Sequence, residues 1–166
     1  MDLSIFKDNI FIVAIIAVVF VVGSVVYFRP VKVAEANSEK KIGTTDLGVM
    51  YIDMDSVSAV KKDNTYYLIV SAEEKYTDEA FLAELRASED MSDAVAELSL
   101  YMFTNDGRYY CVPQKYIVDS EGKVCADLGK DMQFKAIDDK ILSEVYTNAL
   151  KVLESKNRMR AWWSNI

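Results

Sequence analysis

Nineteen consecutive residues without a charge, Ile10 to Phe28, constrain this chain more than any other feature in it. As a helix the run spans about 28 Å, close to the thickness of a bilayer core, and Arg29 and Pro30 close it. Valine and isoleucine lie on every side of that helix, so it lacks the single apolar stripe of a helix packed on a core. A cleaved signal peptide is a second reading, because Ala34-Glu35-Ala36 has the small-residue spacing of a cleavage site. The apolar stretch is long for that role, and Arg29, Pro30 and Lys32 stand before the site. The spacing therefore predicts a retained single-span anchor over 9–28 after a short tail at 1–8, with the lipid bilayer as first partner. Arg29, Lys32, Lys40 and Lys41 follow the span, whereas Lys7 before it is offset by Asp2 and Asp8. Counted by the positive-inside rule, these charges place the following residues in the cytoplasm. Long domains cross membranes regardless of charge, so the orientation stays open.

Residues 29–48 mix Lys, Glu, Asn, Ser, Gly and Thr without an apolar period and read as a flexible linker. The segment 49–156 has the length of one domain with a single core. Five basic and five acidic residues precede Val49, leaving 14 and 21 after it, so the net charge of −7 falls on the domain and its tail. An acidic domain repels phosphate backbones, which argues against nucleic acid as a partner. The chain has no histidine, which removes the commonest neutral-pH base, the Ser-His and Cys-His nucleophiles and most zinc sites. No residue pattern calls for a cofactor or a metal.

Alternation predicts a small antiparallel sheet of five or six strands. Val49 to Val57 is the first, with Tyr51, Asp53 and Asp55 on its wet face. A turn at Lys61-Lys62-Asp63-Asn64 leads to a second strand at Thr65 to Ser71, rich in β-branched and aromatic residues. Thr77 or Asp78 can cap a helix reaching about Ser88. Ala94 to Thr104 is a third strand, joined through Asn105-Asp106-Gly107 to a fourth at 108–118. Pro113 cannot donate to a ladder, so that strand is bulged or at an edge, where a partner strand could add. A turn at Asp119 to Gly122 precedes a fifth strand at Lys123 to Asp127. Ile141, Leu142, Val145, Ala149, Val152 and Leu153 form the stripe of a C-terminal amphipathic helix, which Asp138 can cap. The class is α+β, with that helix packed on one face of the sheet.

Three residue groups could carry chemistry or contact. Asp53 and Asp55, on one face of a strand, could bind a cation or work as an acid–base couple, although no third ligand is in view and a plain solvent face fits as well. Cys111 and Cys125 are too few for a disulfide framework. The expected hairpin sets Cys125 opposite Tyr116, about 17 Å along the strand from Cys111, so both read as small core hydrophobes. The tail at 157–166 sets Arg158 and Arg160 beside Trp162 and Trp163. An interfacial membrane contact or a partner-binding tail would use such residues; a frayed terminus, or tryptophans folded back on the domain, is the other reading.

The stretch Tyr51 to Val57, the Lys-Lys-Asp turn and Thr65-Tyr66-Tyr67 resemble the opening of domains in the surface-adhesin protein E-like family. Arg108-Tyr109, Tyr116 to Val118, Asp119 to Val124 and the closing helix extend the resemblance over about 49–155. The helix near 78–88 is similar to an insertion in that pattern. The resemblance implies an exported bacterial envelope domain, anchored in the inner membrane and facing away from the cytoplasm. Adhesion does not carry over, since no matched residue has a defensible binding role. The expected function is a non-enzymatic binding or interaction module with an unidentified protein partner. The alternatives are a cytoplasm-facing, single-span accessory subunit of a membrane complex and an enzyme built on Asp53 and Asp55.

Overall fold

The computed structural model describes residues 38–62 and 64–156. The span at 9–28, the first part of the linker, and Arg158, Arg160, Trp162 and Trp163 of the tail lie outside the described residues. No described helix is long and apolar enough to cross a membrane.

Seven strands form one antiparallel sheet, one more than the upper expectation. They are β1 (Glu39–Thr44), β2 (Gly48–Asp53), β3 (Ser58–Lys62), β4 (Thr65–Tyr76), β5 (Ala94–Thr104), β6 (Tyr109–Asp119) and β7 (Val124–Ala136). Helix α1 (Glu79–Leu85) and a 3-10 turn at Glu89–Met91 fall between β4 and β5, and helix α2 (Lys140–Ser155) follows β7. The order is β1-β2-β4-β5-β6-β7, with β3 also on β4.

The extra strands arise where the sequence looked like linker or like one strand. Residues 39–44, expected in the linker, pair with β2 instead. Their polar sequence suits an edge: Ile42 alone reaches the core, while Lys40 Nζ donates to Asn148 Oδ1 of α2 at 2.7 Å. The strand expected at 49–57 breaks after Asp53. The Asp53 carboxylate accepts the Asp55 amide at 2.9 Å, and the Ser56 hydroxyl donates to the Asp53 carbonyl at 2.6 Å while accepting the Ser71 amide at 2.9 Å. These short side chains outcompete the ladder for backbone groups. Residues 53–57 thus stand against Val70 and Ser71 of β4, and Val57 drops into the core. Pairing resumes through β3, and before β4 Asn64 takes a left-handed φ of 61° in a turn.

Pro113 lies in an interior strand, not at an edge, because β6 pairs with β5 and β7. The bulge expected there is present: pairing skips from Leu100–Gln114 to Met102–Cys111 on one side and shifts between Val112 and Lys115 on the other. The last strand runs nine residues beyond Asp127, to Ala136, as the outer strand of the sheet. Its pattern hides in bulges, one of which carries Gly129 at φ 81°. Val118 faces Val124 and Ile117 faces Ala126, so Cys125 is a bulge residue, and Cys111 lies opposite Met102 near the other end of β6. Cys111 is buried as expected, whereas Cys125 is half-exposed.

Both helices lie on one face of the sheet. The α2 residues Val145, Ala149 and Leu153 pack with Ile52, Leu68, Val70 and Phe103. The cap of α2 is Asp139, one residue later than expected, and its carboxylate accepts the Ile141 and Leu142 amides. Tyr146 Oη donates to the Asn105 carbonyl and Lys156 Nζ to the Met54 carbonyl, both at 2.8 Å, fixing the helix over the sheet. Helix α1, capped by Asp78, sets Phe81, Leu82 and Leu85 against Tyr76, Ala94 and Ile117 on the same face.

Phe103 is fully buried between sheet and α2, and its truncation should leave a cavity. Phe103→Ala is expected to lower stability by about 3–5 kcal/mol, read as a fall in the urea midpoint at constant slope. Gly48→Ala should also destabilise, because a Cβ there would run into the Lys75 carbonyl.

Candidate functional site

The first candidate is a polar seam on the helix-bearing face, between the α1 and α2 clusters. Glu74 of β4 and Glu97 of β5 are direct cross-strand partners. Like charges so placed repel unless each is neutralised or hydrogen-bonded. Glu97 accepts from Lys115 Nζ at 2.8 Å, from Ser99 Oγ at 2.9 Å and from Tyr76 Oη at 3.4 Å. Glu74 accepts from the Thr45 hydroxyl in the β1–β2 turn. Burial, reinforced by Glu97 and Glu74, pushes the Tyr76 and Tyr101 phenols well above the usual tyrosine range. The seam therefore combines carboxylates, each with a donor, and phenols held protonated. It ties three strands together across a polar gap.

The expected carboxylate couple is not assembled. Asp53 ends β2 with its carboxylate on the Asp55 amide, while Asp55 sits in the following turn, so they do not share a strand face. Among the described residues no group of three or more acidic or cysteine side chains is placed to hold a metal ion. Burial, with Asp119 and Asp93 nearby, raises the Cys125 thiol above its ordinary value, the opposite of an activated nucleophile. The Asp119–Gly122 turn is closed from within: the Asp119 carboxylate accepts the Glu121 and Lys123 amides, each at 2.9 Å. Open depressions lie among the described residues. One of about 510 Å³ is lined by Arg86, Asp93, Asp119 and Lys123, and one of about 270 Å³ by Tyr110, Lys115, Lys130 and Lys135.

The second candidate is the opposite face of the sheet, which no described helix covers. Alternation and register place Tyr67 and Ile69 of β4, Leu98 and Leu100 of β5, and Tyr116 of β6 on it, all half-buried. Val60 and Phe134 extend this field and are 40% and 38% exposed. The Phe134 ring stacks on Tyr67 with centroids 5.6 Å apart, on the face where Met102 and Cys111 are buried without help from α1 or α2. Toward β1 the field ends in a polar corner, where Lys75 Nζ lies 3.1 Å from Glu39 and 3.2 Å from Glu73 and sits over the Tyr51 ring. Burial lowers the Lys75 pKa, and the two carboxylates outweigh it, raising the value overall. An antiparallel sheet with one covered face ordinarily shows water a polar one, and this face is apolar at its centre.

Neither candidate stood out in the sequence. The alternating apolar residues of β5 marked it as a strand, but Leu98 and Leu100 beside Tyr101 and Phe103 also signal apolar residues on both faces. The Glu74–Glu97 pair depends on register, which one strand cannot reveal. Comparison with protein-family models, curated proteins and solved structures finds no match to this chain.

Two measurements probe the seam. A phenol kept protonated in the folded chain adds stability that is fully present below about pH 10 and lost as pH rises beyond it. The urea midpoint should therefore fall above that pH, and a Tyr76→Phe, Tyr101→Phe variant should show a shallower fall. Lys115→Met removes the cation from a carboxylate only 12% exposed and should cost about 1–2 kcal/mol; adding Glu97→Gln should recover part of that loss.

Proposed function

We propose that this chain is a membrane-anchored, non-enzymatic interaction module. An envelope domain on the outer side of a bacterial inner membrane binds a protein partner through its uncovered sheet face. The observation that carries this reading is the apolar side chains of that face, with Ile69, Leu98, Leu100 and Tyr116 half-exposed on a sheet whose two described helices lie on the other side. The anchor at 9–28 and the resemblance to surface-adhesin protein E-like domains support the location. In the protein E-like reading, the sheet and closing helix are the shared scaffold, and the contact face is this chain's own.

The sheet edges favour contact through the face over strand addition. Strand β1 is short and charged, β3 has five residues and ends in two lysines, and β7 is broken by bulges, devices that discourage pairing with another strand. One observation bears on the cytoplasm-facing alternative: Lys40 and Lys41 belong to β1, which leaves Arg29 and Lys32 as the basic residues, beside the acidic Glu35, between span and domain. That weakens the charge argument for a cytoplasmic accessory subunit.

Two experiments test the proposal. In spheroplasts carrying a C-terminally tagged chain, external protease should digest the domain; protection until lysis would reverse the orientation. A photo-crosslinking amino acid at Leu100 should yield a covalent protein adduct in intact cells, and the same probe at Lys151, on exposed α2 surface, should not. Absence of any protein adduct at Leu100 would remove the interaction face from the proposal.

A further inference from the structure

We propose that the depression between β6 and β7 binds a small organic anion, one that presents a carboxylate or a phosphate on a short carbon body. The depression follows from the bulge at Pro113. Between the Val112–Asp131 and Lys115–Gly129 pairs β6 advances three residues while β7 advances two. Pro113 lies inside that stretch and has no amide hydrogen to give the ladder. The strands part there around a concavity of about 270 Å³. Tyr110 and Val112 on its wall pack with the cluster under α2, so it belongs to the helix-bearing face and does not rest on the reading of the open face.

Donors outnumber acceptors around this concavity. Lys115, Lys130 and Lys135 line it, in a chain whose net charge is −7. Each ammonium has three N–H donors. Lys115 gives one to Glu97 at 2.8 Å and Lys135 one to Asp131 at 2.7 Å, while Lys130 has no ion pair among the described residues. The Tyr110 hydroxyl and the Gln133 side-chain amide also line it, and neither has a hydrogen bond among the described residues. Asp131 is the one carboxylate on the lining, and both its oxygens are taken: Oδ1 accepts the Gln133 backbone amide at 3.0 Å and Oδ2 faces Lys135. Three ammoniums against Glu97 and Asp131 leave one positive charge uncompensated, that of Lys130. A ligand rich in acceptors and carrying negative charge matches this set, whereas a cation would find no free carboxylate. Distant acidic side chains are screened beyond about 8 Å at physiological salt, so the local lysines decide. Val112 and Leu128 supply apolar wall for a short carbon body. The volume falls below the ~300–1,000 Å³ of sites for drug-sized ligands, which keeps the occupant small.

The test uses the full chain in an uncharged detergent, titrated calorimetrically at low salt with benzoate, with glycerol 3-phosphate and with benzamide as the neutral counterpart. Saturable binding of at least one anion in the millimolar range or below is expected, with none of benzamide, and the tighter anion tells which head group the site takes. Lys130→Gln removes the uncompensated charge from an exposed side chain outside any described ion pair, and should weaken binding about 10-fold. Lys151→Gln, on exposed α2 surface, should change nothing. Tyr110→Phe keeps the ring against the core, removes only the hydroxyl and should weaken binding about 5-fold. Should Lys130→Gln not fold, the Tyr110→Phe affinity decides. No saturable binding of either anion, equal binding of benzamide, or unchanged affinity in the folded deciding variant overturns the proposal, and each of these results leaves the interaction module standing.

Discussion

Strand β4 is the constraint on which the rest of this domain depends. Its twelve residues pair with β5 along one side and with β2 and then β3 along the other. Leu68, Val70 and Ala72 on its helix-bearing face are all buried, and they meet α2. The same alternation sends Tyr67 and Ile69 the other way, onto the uncovered face. One strand thus serves the core under α2 on one side and a face that no described helix covers on the other. Because the side-chain period of a strand is two, neither side can change without moving the other.

The helix-bearing face is itself divided. The cluster under α2 and the smaller one under α1 are separated by Glu74, Glu97, Ser99 and Lys115, in a region where an apolar contact would be simpler. A polar group withdrawn from water there is tolerable because each has a partner: Glu97 alone accepts from three side chains. The seam joins β4, β5 and β6 and reaches the β1–β2 turn through Thr45 and Glu74. Burial, reinforced by these carboxylates, keeps two phenols protonated far into the alkaline range.

What the sequence revealed tracked how local the determining physics was. Strand β5 was legible to the residue, because Glu97 to Leu100 alternate polar with apolar and an Asn-Asp-Gly turn follows Thr104. Helix α2 was legible from its stripe, and its cap was displaced by one residue because Asp138 and Asp139 are equally able acceptors until the chain's path is known. Strand β1 was hidden, because Glu39 to Thr44 owes its conformation to β2 and to Asn148, not to its own propensity. The break after Asp53 was hidden because Asp and Ser act there through hydrogen bonds across to Ser71. The open face could be assembled only once β4, β5 and β6 were placed in register, so neither candidate site was written in one segment.

The direction of β1 has a mechanical meaning. The chain enters the domain at Glu39, beside Asp53 in the middle of the sheet edge, and runs outward to Thr44 beside Val49. A pull on the preceding residues along the strand axis opposes all five register pairs together, in shear, and cannot open them one at a time. The Lys40–Asn148 bond and the packing of Ile42 beneath α2 share that load. Whatever tension the preceding segment transmits enters the sheet through a six-residue strand, whose ladder to β2 passes that load on to the β2–β4 ladder behind it.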